Sequence, residues 1–191
     1  MFRTFPWVDL CKAYLIEAKW YYNNYKTTLE EYLNNGVTSV GGKALLTHTF
    51  FSSPLTFPKE ALYFFSQHPS LLDWSSVIFR LADDLGTSKD ELERGDVLKS
   101  MECYMHETGA SEDVAREHIW NMIDETWKKI NKELMSNDFL LLPQGFIRAT
   151  VNLIRTTQSI YQYGDGHGRT DDETKNRVTL LLFEPIPLVE A

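Results

Sequence analysis

The sequence predicts an all-α fold. Three observations carry this: apolar residues recur at three- and four-residue spacing along most of the chain, helix-start and helix-stop residues fall between these runs, and strand-like alternation is nearly absent. Trp7, Leu10, Cys11, Tyr14, Leu15 and Ala18 share one face of a first helix running to about Tyr22. Thr27 with Glu30 forms a capping box that opens a short helix through Leu33. Val37 to Phe51 fits a further helix, interrupted by Gly41-Gly42. Each glycine costs about 1 kcal/mol in a helix relative to alanine, so the pair marks a break or a close approach.

Pro58 suits the first turn of a helix carrying Ala61, Leu62, Phe64 and Phe65. Leu71 to Leu85 reads as a long buried helix ended by Gly86, and Asp96 caps the next, which ends at Gly109. After Ser111, Ala115, Ile119, Met122, Ile123, Thr126, Trp127, Ile130 and Leu134 keep helical period while Glu112, Asp113, Glu117, Lys128 and Lys132 face outward. Pro143 starts a helix with Phe146, Ile147, Val151, Leu153, Ile154, Thr157 and Tyr161. A second capping box, Thr170 to Glu173, leads a last helix that Pro185 and Pro187 stop. The expectation is seven to nine helices and no strand.

At 191 residues, 43% hydrophobic and 24% charged, the chain suits one globular domain or part of a larger one, at roughly 100–200 residues per domain. With 19 basic and 27 acidic residues its net charge is −8, which excludes nucleic acid as the partner, because phosphate backbones require a basic face. Cys11 and Cys103 show no zinc spacing and are expected as buried apolar thiols. No apolar run approaches the roughly 18–20 residues of a membrane span, so no membrane partner is expected. No targeting segment is visible at the N-terminus.

Chemistry concentrates between Leu81 and Glu91. Asp83, Thr87 and Glu91 stand at i, i+4 and i+8, which on a helix aligns them along one face over roughly 12 Å. Two carboxylates and a hydroxyl are hard oxygen donors suited to Mg²⁺, which shares its coordination sphere with water and substrate phosphate. Arg80 lies one turn before Asp83, and Lys99 follows nearby, as a diphosphate leaving group would need. Spacing alone leaves a second reading open, in which a helix ends at Gly86 and Asp84, Ser88, Asp90 and Glu91 are solvated loop and cap residues. The apolar run through Trp74, Val77, Ile78, Phe79 and Leu81 weighs against it, since a buried Asp-Asp pair is costly without a cation. Gly164-Asp165-Gly166-His167-Gly168 follows a helix and carries no nucleotide-binding signature, so it reads as a flexible lid loop. On the residues alone, Tyr161 is a core aromatic and His167 a surface loop residue.

The string RLADDLGTSKDELERGDVLKSMECYMHETGASEDVAREHIWNMIDETWKKIN, from Arg80 to Asn131, resembles plant terpene synthases, most closely the monoterpene synthases of angiosperms. VDLCKAYLIEAKWYYNNYKTTLEEYL near the start and GDGHG with LLFEPIPL near the end are similar to the family as well. The resemblance implies the class I terpenoid synthase helical fold, in which an isoprenyl diphosphate is ionised with Mg²⁺, Mn²⁺ being the alternative ion, and the carbocation is steered to a terpene. Geranyl diphosphate is the substrate it implies. Asp83, Thr87 and Glu91 match the family's second metal motif, (N,D)Dxx(S,T)xxxE, and would ligate one of three Mg²⁺ ions. Arg80 and Lys99 would bind the diphosphate, and Tyr161 and His167, spaced as in the family's Y(x)5H, would line or cap the hydrocarbon pocket. Ser39, Gly41 and Gly42 would be either a helix break facing the substrate or a packing kink.

The family's first metal motif, DDxxD, has no counterpart: Asp171-Asp172-Glu173-Thr174-Lys175 lacks the final Asp. Residues 1–191 are therefore expected to be the C-terminal, metal-binding part of the class I domain, inactive or nearly so alone and exposing an apolar surface. Two functions follow, a magnesium-dependent terpene synthase (a lyase) by family, or a non-catalytic helical remnant that at most binds Mg²⁺, diphosphate or another synthase chain. Full-length relatives are expected in the plastid and this chain, as it stands, in the cytoplasm; its oligomeric state is left open.

Overall fold

The structure is a computed structural model that describes residues 6–52, 59–67, 70–135, 142–166, 168 and 172–185. These form nine helices and no strand: α1 (Pro6–Tyr22), α2 (Leu29–Ser39), α3 (Gly42–Phe51), α4 (Lys59–Gln67), α5 (Ser70–Glu93), α6 (Ser100–Thr108), α7 (Glu112–Leu134), α8 (Gln144–Ile160) and α9 (Asp172–Leu182). α5 is the axis of the array and touches α2, α3, α6, α7 and α8. The all-α expectation and most of the breaks between helices agree with this.

Local chemistry explains the joints. The cap of α2 is Thr28, whose hydroxyl accepts from the Glu31 N–H at 3.1 Å, one residue later than the Thr27–Glu30 pairing anticipated. Thr27 is instead buried, its hydroxyl 3.2 Å from the Cys103 thiol. α2 also continues past Leu33 to Ser39, and the chain breaks at Gly41, whose φ of +80° is a left-handed conformation that favours glycine. Gly42 lets α3 lie close on α5: a Cβ there would stand 2.7 Å from Ser76 Oγ. α6 begins after Lys99 rather than at Asp96, with Glu102 reaching back to accept from the Lys99 N–H at 3.3 Å, and it ends on Gly109 at φ +72°. Ser111 caps α7, and Pro143 precedes α8 as anticipated. Pro58, Thr170 and Pro187 lie outside the described residues.

The largest correction concerns Gly86. α5 runs through it without interruption to Glu93. The absence of a side chain there serves a close approach, since a Cβ would lie 2.9 Å from the Gly164 carbonyl and 3.0 Å from Tyr161 Cβ. Asp84 and Ser88 are accordingly buried, not solvated loop residues.

The core is a row of aliphatic side chains from α5, α7 and α8 (Ile78, Leu81, Ile119, Ile123, Ile130, Ile154), extended by Phe50, Phe65 and Phe146. Phe50 stacks on Phe65 at 4.1 Å between centroids and meets Phe146 edge-on at 5.2 Å, joining α3, α4 and α8.

α1 departs from its expected face. Leu10, Ala13 and Trp20 are buried, while Trp7, Cys11, Tyr14 and Leu15 point outward. The inward surface includes Glu17, whose carboxylate accepts from Asn35 Nδ2 at 3.2 Å and from the Ser39 hydroxyl, so a polar tie replaces part of the apolar stripe. α9 buries nothing, and Val178, Leu180, Leu181, Leu182 and Phe183 are exposed. Its links to the body include Arg177, which donates to Gln162 Oε1 at 3.1 Å and to Ser159 Oγ at 3.2 Å. Exposed apolar residues are thus most numerous on α1 and α9, with others, such as Leu45, Tyr63 and Trp120, on α3, α4 and α7.

The two cysteines separate chemically. Cys103 is buried and its thiol is pushed up to about 12, by burial first, with the Thr27 hydrogen bond opposing. Cys11, read from the sequence as buried, is exposed. Since the thiolate is the reactive form, iodoacetamide at mildly alkaline pH is expected to alkylate Cys11 in the native protein and Cys103 only after unfolding. Peptide mass spectrometry checks this; native labelling at both positions would contradict it.

Candidate metal centre

An uninterrupted α5 puts Asp83, Thr87 and Glu91 on one face, one turn apart. Thr87 Oγ1 lies 3.0 Å from the Asp83 carbonyl and 3.1 Å from Glu91 Oε2. Glu91 Oε2 also meets Lys99 Nζ at 3.3 Å. Arg80 donates through Nη2 to Asp83 and, at 2.6 Å, to Asp84 Oδ1. Both sequence-proposed cations therefore stand against the acidic row.

The side chains of Asp83 and Glu91 are 16% and 19% exposed, reachable from solvent but poorly hydrated. Burial, the largest influence, pushes the Asp83 carboxyl up, partly offset by the Arg80 charge and by a hydrogen bond from Tyr161. Burial also works against the Arg80 charge, but Asp84, Tyr32 and Asp83 together hold the guanidinium well above its usual range.

Three carboxylates, Asp83, Asp84 and Glu91, thus face the buried cations Arg80 and Lys99, while the more exposed Arg94, shared with Asp96, reaches Glu91 Oε1 at 3.9 Å. The donors of the row, Asp83, Thr87 and Glu91, are all hard oxygens, so the residues present fit Mg²⁺. No group of three His, Cys, Asp or Glu side chains suited to a metal occurs among the described residues, so the fit depends on Thr87 as the third donor.

Tyr161 follows α8, and the approach at Gly86 brings its half-buried phenol onto the Asp83 carboxylate. Its hydroxyl is pushed up by burial first, then by the charges of Asp83 and Asp165. This places Tyr161 at the carboxylate row. In the segment read as a lid loop, Gly168 N donates to Asp165 Oδ1 at 2.7 Å. His167 lies outside the described residues.

Two residues at the site, Tyr32 and Ser100, were not singled out from sequence, and Asp84 was named only as half of a costly Asp-Asp pair. Tyr32 on α2 donates to Asp84 Oδ1 at 2.9 Å, the Ser100 N–H donates to Asp84 Oδ2 at 3.1 Å, and Asp84 itself is fully buried between them. The available signal was the apolar run into Asp83-Asp84, which demanded a cation; Arg80 supplies it for Asp84. Tyr32 carried no signal beyond an ordinary aromatic on a helix face.

The model of the terpene synthase family, metal binding domain, matches residues 4–129. The chain belongs to the terpene synthase family. A chloroplastic myrcene synthase of Quercus ilex is 52% identical over 185 residues, covering 95% of this chain and 30% of that protein. A limonene synthase solved with 2-fluorolinalyl diphosphate superposes with a TM-score of 0.87 at 44% identity, over 95% of this chain and 33% of that one. Isoprene synthase from grey poplar leaves, solved with three Mg²⁺ ions and dimethylallyl-S-thiolodiphosphate, superposes at 0.80 with 37% identity, over 97% of this chain and 35% of that one. The chain spans about a third of the length of these terpene synthases. Within the family match lie Arg80, Asp83, Thr87, Glu91 and Lys99; Tyr161 lies beyond it.

Proposed function

We propose that residues 1–191 are the C-terminal metal-binding part of a terpene synthase that acts on an isoprenyl diphosphate, geranyl diphosphate by likeness to the myrcene and limonene synthases. The observation that carries this is the row of three oxygen donors at one-turn spacing facing two cations. Asp83, Thr87 and Glu91 hold Mg²⁺, with Mn²⁺ as the alternative ion. When bound, the ion withdraws charge from the departing diphosphate. Arg80 and Lys99 bind the diphosphate oxygens, Arg80 through a fork suited to two of them. Tyr161 orients the Asp83 carboxylate by its hydrogen bond. His167 is assigned to the pocket on the resemblance alone. By the same likeness the whole enzyme acts in the plastid.

Within these 191 residues there is one metal motif and no DDxxD. Ionising an allylic diphosphate needs charge stabilisation and a dry cavity beyond what one metal and two cations provide. The chain by itself therefore binds diphosphate with Mg²⁺ and forms no terpene. Calorimetric titration with inorganic pyrophosphate is expected to show binding that requires Mg²⁺ and is lost in the Asp83→Asn/Glu91→Gln double variant. Binding indifferent to Mg²⁺, or unchanged in the double variant, would sink the assignment. Gas chromatography after incubation with geranyl diphosphate and Mg²⁺ is expected to find no product; a terpene peak would show the single motif to be sufficient.

A further inference from the structure

Asp84 adjoins the first residue of the ligand row and is also an aspartate, yet it points elsewhere, since consecutive helical residues diverge by about 100°. Its side chain is 0% exposed and both oxygens are committed within the protein. Oδ1 accepts from the Tyr32 hydroxyl at 2.9 Å and lies 2.6 Å from Arg80 Nη2, and Oδ2 accepts from the Ser100 N–H at 3.1 Å. Such a carboxylate, wholly buried and with both oxygens engaged by protein donors, is closed to a metal arriving from solvent.

What it does hold is informative. Ser100 opens α6, and the residue before it is Lys99, whose ammonium reaches Glu91 at 3.3 Å. One buried carboxylate thus fixes the head of one cation and the backbone root of the other. The Arg80 stem is confined as well: it crosses α2 at Gly36, where a Cβ would stand 3.1 Å from Arg80 Cδ and 3.3 Å from Cγ. Arg80 Nη2 also pairs with Asp83. Anchorage to Asp84 keeps the guanidinium in place when Asp83 takes another partner.

We propose that Asp84 is a positioning residue for diphosphate binding, oriented by Tyr32, which holds Arg80 directly and Lys99 through the Ser100 N–H on the metal side of α5. This rests on reading the site as a magnesium–diphosphate centre. A ligand role would make Asp84 variants lose the metal; a purely structural role would lower stability and leave the folded protein's affinity alone.

The test uses the full chain with Asp84→Asn and Tyr32→Phe, and Asp83→Asn for comparison. Removing one partner of a buried ion pair endangers folding, so Tyr32→Phe, which deletes one hydroxyl and leaves Asp84 charged, decides the matter if Asp84→Asn does not fold. The first readout is hydrogen exchange of the Arg80 Nε–H by NMR, a buried group with no acceptor among the described residues. It is expected to exchange at least tenfold faster in both variants. The second readout is calorimetry with Mg²⁺ alone and with inorganic pyrophosphate plus Mg²⁺. Metal affinity is expected to stay within about twofold of wild type in Tyr32→Phe and Asp84→Asn, whereas pyrophosphate affinity falls about tenfold in Asp84→Asn, the scale of one charge-assisted hydrogen bond. Unchanged Arg80 exchange, or loss of Mg²⁺ affinity equal to that of Asp83→Asn, would overturn the proposal. Should the wild type bind no pyrophosphate with Mg²⁺, the reading of the site falls, and Arg80 exchange still decides whether Asp84 positions Arg80.

Discussion

Replacing Arg80 by leucine is expected to lower the unfolding free energy by about 3–5 kcal/mol, because it leaves the Asp84 carboxylate buried without its cation. The scale follows from burial: Asp84 is 0% exposed and Arg80 9%, so water cannot replace the lost partner. Tyr32 and the Ser100 N–H remain as donors, but two neutral hydrogen bonds do not offset a full charge in a place this dry. Urea unfolding followed by circular dichroism measures the effect. Arg80→Lys is expected to fall between, since an ammonium keeps the charge but sits on a different stem from the planar guanidinium whose Nη2 meets both Asp83 and Asp84. Arg80→Leu combined with Asp84→Leu is expected to recover only part of the loss, because the buried charge is gone but the Tyr32 hydroxyl and the Ser100 N–H lose their acceptor. A change below about 1 kcal/mol for Arg80→Leu would mean that Asp84 finds another way to neutralise.

Gly86→Ala is expected to act in the opposite sense, with a small change in global stability and a large local one. Alanine gains about 1 kcal/mol of helix propensity over glycine, which masks the clash. The new methyl meets the Gly164 carbonyl at 2.9 Å and the Tyr161 ring at 3.1 Å, and backbone cannot swing aside as a flexible side chain can. Residues 161–164 are expected to lift from α5 and the Tyr161 hydroxyl to leave Asp83. Hydrogen-exchange mass spectrometry should show amides of this segment exchanging at least tenfold faster while α7 keeps its protection. Equal protection in variant and wild type would mean that the segment is not held by its contact with Gly86.

These two residues also mark where the sequence was readable and where it was not. The alignment of Asp83, Thr87 and Glu91 was legible in their helical spacing, although spacing alone left a solvated-loop reading open that the passage of α5 through Gly86 removes. Gly86 was misread because a glycine that ends a helix and a glycine that admits a neighbouring chain look the same locally; only the position of Gly164 distinguishes them. The face of α1 was misjudged for a related reason. Apolar periodicity located a helix, but Glu17 took the inward side by pairing with Asn35 and Ser39, leaving Trp7 and Leu15 outside. The Asp84 network escaped notice because its three donors come from different helices, and no pattern along the chain links Tyr32 to Ser100.

That dispersion bears on how the protein folds. The hydroxyl of Tyr32 and the carboxylate of Asp84 are 52 positions apart, and Tyr161 arrives from the far side of α8. Closing such loops costs entropy before any of these contacts repays it, so the centre exists only together with the helices that carry it. A ligand that binds it consequently recognises the folded array and nothing less. By mass action it stabilises those helices as one unit, by about 2.7 kcal/mol at a hundredfold excess over its dissociation constant. The centre is thus a thermodynamic clasp as much as a binding surface, drawing together α2, the adjoining α5 and α6, and the turn that follows α8.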